Sequence, residues 1–300
     1  MAVGGPAGDA EGDLRHCEAM ARSHYENFPV ASLALPRRIR RPVAVIYAYS
    51  RTVDDLADEG DLGDTERLDR LAATADDLER ALAGEPVTSP VLRATARVIR
   101  DFHLPTRPFH HLVSAFTQDV VKKRYEDFPE LMDYCRRSAN PVGRLLLHLT
   151  ANDSLRNLID SDHICSALQL INFLQDLEQD LHELGRIYLP RDEMESFGVT
   201  EGHLWNRISD EAMVDLYRFQ VRRARDLLLE GAPLGARLGG MFGVEIRTIV
   251  TGGLAVLDRM ETLENDVFAR PRLSRGDRLR ILWRGISGTR GRGRATMPGT

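Results

Sequence analysis

Asn172, Asp176 and Asp180 stand at successive four-residue intervals. On a helix that spacing puts all three on one stripe, about 12 Å long at ~1.5 Å rise per residue. The residues around the stripe are apolar: Ile164, Leu168, Leu170, Ile171, Phe173, Leu174 and Leu177. Such a helix buries most of its other faces. A second polar face follows Tyr47, where Arg51, Asp54, Asp55 and Asp58 recur at spacings of three and four. Unpaired carboxylates in a protein interior repel one another and are costly to desolvate. Two solvated stripes, or carboxylates paired with nearby arginines, would each be a bland solution. The chemical solution is a hard cation. Magnesium takes oxygens from carboxylates and from substrate phosphates, and it stabilises a diphosphate as a leaving group. Two acidic faces in one helical chain favour that second solution.

Helices must position these residues. The first is predicted to start at Pro42, a residue suited to a first helical turn, and to run to Asp58 before stopping near Gly60. The second is predicted from Ser161 and Asp162 to Leu184, with Gly185 as its stop. Period-3.6 spacing recurs from about residue 14 to residue 284, and alternating β-branched runs are scarce. Breaks fall at 36–42, 60–64, 84–90, 104–108, 152–160, 185–190, 197–202 and 231–235. No repeat and no long linker divides the chain. The expected architecture is therefore all-α, with one helical domain over 13–284. A disordered leader over 1–12 and a flexible basic tail over 285–300, carrying Arg290, Arg292 and Arg294, would flank it.

Composition narrows the function. The chain has 300 residues, 43% hydrophobic and 28% charged, with a net charge of −5, which argues against a general nucleic-acid binder. Cys17, Cys135 and Cys165 are odd in number and far apart, so reduced thiols in a cytoplasmic protein fit better than disulfides or a zinc site. No uninterrupted apolar run approaches the ~18 residues of a membrane span. No G-x-G-x-x-G follows a strand; the glycine cluster Gly239, Gly240 and Gly243 lies in a helical context and reads as close packing.

The motifs resemble those of the trans head-to-head isoprenyl synthases, the squalene and phytoene synthase family. The stretch from Tyr47 through Arg51, Asp54 and Asp55 to Asp58 and Glu59 is similar to that family's first aspartate motif, and Asn172 to Asp180 is similar to its second. The segments Tyr134 to Gly143 and Gly185 to Pro190 match as well. The resemblance covers about His24 to Pro190. Within the family, His24 to Ser32, Leu35 to Arg38 and Ser138 to Gly143 resemble the hopanoid-pathway branch of the HpnC type, the hydroxysqualene synthases.

The resemblance implies an isoprenoid synthase-type bundle around a central cavity. It implies magnesium-dependent conversion of presqualene diphosphate and water to hydroxysqualene and diphosphate, without NADPH. Head-to-head condensation of two prenyl diphosphates is the alternative; a non-catalytic helical partner of the pathway is the alternative of another class. Residue by residue, Asp54, Asp58, Asn172, Asp176 and Asp180 would hold magnesium, with Asp55 beside them. His24, Phe28, Arg51, Asn172 and Arg186 would bind substrate, and Tyr47 and Tyr134 would line the pocket. Phe173 and Tyr188 are weighed as plain core. The run Lys122, Lys123, Arg124 reads as a solvated face with at most one residue turned inward. A greasy substrate leaves open peripheral contact with the inner face of the membrane and with other enzymes of squalene and hopanoid synthesis.

Overall fold

Side-chain caps and early prolines start many of the helices. A computed structural model describes residues 9–23, 37–263 and 266–270. His24, Phe28, the first eight residues and the basic tail lie outside the described residues. The helices are α1 (Ala10–Ser23), α2 (Arg37–Asp58), α3 (Asp64–Leu82), α4 (Pro90–Phe102), α5 (Arg107–Val121), α6 (Phe128–Ser138) and α7 (Asn140–Leu149). They continue as α8 (Leu155–Gln175), α9 (Leu177–Leu184), α10 (Arg191–Ser196), α11 (Glu201–Trp205), α12 (Glu211–Gly231), α13 (Leu234–Leu238) and α14 (Gly240–Glu261). No strand occurs among the described residues. Ser89, Asp127, Ser154 and Asp210 each accept a first-turn N–H at the start of α4, α6, α8 and α12.

Four boundaries differ from those expected. Helix α2 starts at Arg37 and contains Pro42 rather than beginning with it. A proline still within the first turns forfeits few ladder bonds, so the helix extends around it. Helix α8 starts at Leu155, inside a stretch read as a break, because Ser154 supplies the cap. The second acidic helix is two helices, parted at Asp176. Helix α1 begins at Ala10, within the stretch read as leader; Asp13 is buried there against Arg93 and Arg97 of α4.

Helix α8 is buried along much of its length by α12, α7, α6 and α14. It runs antiparallel to α12: Gly231 at the end of α12 sits against Asp160 and Ile164 near the start of α8, while Gln220 and Leu170 line one small space further along. Helix α14 is, among the described residues, long and apolar enough to cross a membrane, with hydropathy 1.4 over its most apolar window. The charged Glu245 and Arg247 interrupt it, which is why no continuous apolar run marks it in the sequence. Here it packs against α8, α12 and α13.

The end of α2, which carries the first acidic group, is closed by one side chain. Arg67 of α3 donates to the carbonyls of Leu56 (3.2 Å), Glu59 (3.1 Å), Gly60 (2.7 Å) and Leu62 (3.1 Å). The turn that these bonds hold passes through Gly60 at φ 77°, a left-handed conformation that glycine adopts without strain. Carbonyls at a helix end otherwise lack partners. Arg67→Ala is expected to lower stability by about 2 kcal/mol in urea denaturation. Arg67→Lys should recover only part, since an ammonium cannot span four acceptors.

Candidate active site

The first acidic wall lies on the C-terminal half of α2. Val53 and Ala57 face the core, which turns Asp54, Asp55 and Asp58 the other way, each half-buried. Arg51 binds along this wall: Nη1 is 3.1 Å from Asp54 Oδ2, Nε is 2.6 Å from Asp55 Oδ1, and a third contact goes to Glu59. The intrahelical ion pair is thus what Arg51 forms in this structure. Tyr47, one turn earlier, is half-buried.

The second wall straddles the α8–α9 junction. Asp176 sits at φ −109° and ψ 17°, off helical geometry. Backbone bonds bracket it nonetheless: Asp176 N–H donates to Asn172 O at 2.9 Å and Asp180 N–H to Asp176 O at 2.8 Å. The stripe therefore keeps its register through the break. Asn172 is exposed, contrary to the expectation of an inward-facing stripe throughout, whereas Asp176 and Asp180 are half-buried.

Two non-helical segments close the site. Residues 123–126 run beside 187–192, with Ile187 N–H donating to Lys123 O (3.0 Å) and Arg191 N–H to Tyr125 O (2.9 Å). Gly185 at φ 67° stops α9 so that the chain can turn into this segment. Arg186 follows directly, and its side chain is only 4% exposed. It donates to both carboxylate oxygens of Asp58 and, at 3.0 Å, to the carbonyl of Asp119.

Asp119 of α5 is one residue that the sequence did not reveal. It is 2% exposed and accepts a 2.6 Å bond from the Tyr134 hydroxyl. It has no acidic neighbour three or four residues away, so no motif marks it. The available signal was an isolated acid on the same face as the buried Leu112 and Ala115. Of the basic run, Lys123 is the inward member, donating to Asp119 O at 2.8 Å, whereas Lys122 pairs with Glu130 and Arg124 with Glu201.

Electrostatics join the walls. Burial, then Asp58, pushes Asp54 up to about 6. Burial likewise raises Asp119 to about 7, opposed by Arg186 and reinforced by Asp58 and Asp54. Asp180 rises to about 7 through burial, then Asp176, with Asp58 and Asp119 adding to it. Carboxylates from α2, α5 and the α8–α9 junction therefore act on one another around Arg186, and too little positive charge is present to keep them all at ordinary values.

Tyr134, expected to line a pocket apart from the core aromatics, belongs to one cluster with them. Phe173 and Tyr188 stack at 3.7 Å between ring centroids and 8° between planes, and Tyr134 lies 6.2 Å from Phe173 and 5.9 Å from Tyr188. Tyr125, missed in the sequence, completes the cluster at 5.6 Å from Tyr188.

The donor set suits a hard cation: it is all oxygen. Asp119 Oδ1 and Arg186 Nε are both buried without a hydrogen-bond partner among the described residues. Buried polar atoms are rarely left so, and an acceptor and a donor open at one site match a cation and an anion arriving together. Among the described residues, no three Asp, Glu, His or Cys side chains converge on one point. A cation here would complete its shell with oxygens from a ligand.

Such a helical bundle, with acidic walls facing each other across a buried arginine, defines the class: an isoprenoid synthase-type fold. The family model described as squalene/phytoene synthase matches residues 21–277. The chain belongs to that squalene/phytoene synthase family, and it is an enzyme acting on prenyl diphosphates. It is 36% identical to a hydroxysqualene synthase of Rhodopseudomonas palustris over 225 residues, 75% of each chain. It is 40% identical to a hydroxysqualene synthase of Zymomonas mobilis over 190 residues, 60% of this chain and 59% of the relative. The solved squalene synthase HpnC of Alicyclobacillus acidocaldarius superposes with a TM-score of 0.78 at 38% identity, covering 84% of this chain and 94% of that one.

Proposed function

We propose that the chain catalyses the magnesium-dependent conversion of presqualene diphosphate and water to hydroxysqualene and diphosphate. The observation that carries this reading is the pair of acidic walls around Arg186, with a buried acceptor and a buried donor left open. Similarity to two hydroxysqualene synthases supports the choice among the family's reactions.

Asp54, Asp58, Asp176 and Asp180, with Asn172, would hold the metal, and Asp119 joins them on its burial and position. Magnesium, when bound, withdraws charge from the departing diphosphate. Arg186 offers the diphosphate its open Nε–H while Asp58 holds the guanidinium in place. Arg51 lies at the same wall, its charge shared among three acids. Tyr134 gives its hydroxyl proton to a hydrogen bond with Asp119. That bond orients the carboxylate. The ring faces of Tyr134, Phe173 and Tyr188 favour positive charge by ~0.5–2 kcal/mol each. In the reaction the substrate C–O bond breaks, diphosphate leaves with the electron pair, and water adds to the rearranged cation and loses a proton.

The test is incubation with presqualene diphosphate and magnesium, without nicotinamide, followed by product mass. An alcohol product is expected. Formation of presqualene diphosphate from farnesyl diphosphate as the sole activity would assign the chain to the condensing branch. Phytoene from geranylgeranyl diphosphate would assign it to the carotenoid branch.

A further inference from the structure

Residues 266–270, which follow α14, lie over the α8–α9 junction and place a positive charge on the second wall. Val267 and Phe268 anchor the segment, at 1% and 5% exposure. Val267 N–H donates to Ser209 Oγ at 3.2 Å. Arg207 ties Asp266 to Glu178 of α9, at 3.3 Å and 2.7 Å. Two residues beyond the anchors, Arg270 reaches Asp176 with both edges of its fork: Nε is 2.9 Å from Oδ1 and Nη2 is 3.3 Å from Oδ2. The arginine is 52% exposed and the aspartate 23%. The partner thus approaches from the solvent side, two residues beyond the buried anchors.

We propose that Arg270 is a positioning residue that holds Asp176 in the metal-free protein and yields it to the cation. This rests on the reading of Asp176 as a metal ligand. The physical reason is competition: the guanidinium hydrogen-bonds Asp176 Oδ2 and stands at ion-pair distance from Oδ1, so a cation that takes the carboxylate must displace it. Arg270 therefore lowers the affinity of the metal-free site. Arg186 differs, because it is buried, bound to another carboxylate and backed by the Asp119 carbonyl, so it stays. The consequence is that metal loading frees the Arg270 end of the 266–270 segment and loosens its hold at Val267 and Phe268.

The experiment is a Mn2+ titration of the full chain followed by electron paramagnetic resonance, with hydrogen exchange at the amides of Val267 and Phe268. Arg270→Gln is expected to tighten Mn2+ binding about two- to fivefold, the scale of an exposed ion pair. Arg270→Lys should fall between, since it keeps the charge but loses the fork. In an Asp176→Asn background, the change at Arg270 should no longer alter affinity. Saturating Mn2+ should speed exchange at the two amides in the parent protein. If Mn2+ binds but Arg270→Gln leaves affinity unchanged or weaker, this inference fails alone. If the parent protein binds no Mn2+, the metal reading fails and takes the inference with it.

Discussion

Asp176→Asn is expected to reduce turnover by at least about 100-fold while leaving the fold intact. The substitution keeps the shape of the side chain and removes its charge. Loss of one preorganised electrostatic contact to a departing anion typically costs about 10²–10³ in rate. The stability side has the opposite sign. Asp176 is pushed above the usual carboxylate range, chiefly by burial, so its charge is not stabilising in the metal-free protein. Its partner Arg270 is 52% exposed, and an ion pair of that kind contributes roughly 0–1 kcal/mol. Thermal unfolding without metal should therefore move by a few degrees at most. Unchanged turnover in a folded variant would remove Asp176 from the chemistry. A collapse of both turnover and melting temperature would make it a structural residue.

Arg186→Met is expected to be among the most destabilising single changes in the described core. The guanidinium is 4% exposed and bonds both oxygens of Asp58 and the Asp119 carbonyl. Removing one partner of a buried pair leaves the other charge uncompensated, at a cost of about 3–5 kcal/mol. Here Asp54, Asp119 and Asp180 also feel Arg186, so the repulsion among carboxylates rises together. A second variant separates this account from a simple packing loss. Arg186→Met with Asp58→Asn should recover much of the stability, because the orphaned charge is gone, yet remain inactive. The coupling between the two sites is read from the double-mutant cycle in urea. Additivity of the two changes would show that the pair does not hold the site together.

Much of the acidic clustering was legible from spacing. Asp54 and Asp58, and Asp176 and Asp180, are pairs four residues apart on helices, and that interval alone puts each pair on one face. The apolar neighbours of Asn172 and Asp176 announced a buried helix, and α8 is one. The break at Asp176 was not legible, because no glycine or proline marks it and the bracketing backbone bonds preserve the periodic pattern. Nor was the exposure of Asn172, since a stripe at i, i+4 and i+8 spans a length over which the neighbours change.

The order of residues by itself determined an all-α chain, two acidic faces and, through their motifs, the family. Helical periodicity and side-chain spacing are local properties, so the chain carries them without folding. The tertiary structure alone decided that Asp119 joins those faces, that Arg186 binds Asp58 across 128 positions, that Lys123 turns inward, and that Arg270 reaches back over 94 positions to Asp176. Those contacts depend on how helices cross and loops close. No local interval encodes that geometry, and an isolated charge shows its cost only once packing removes the water around it.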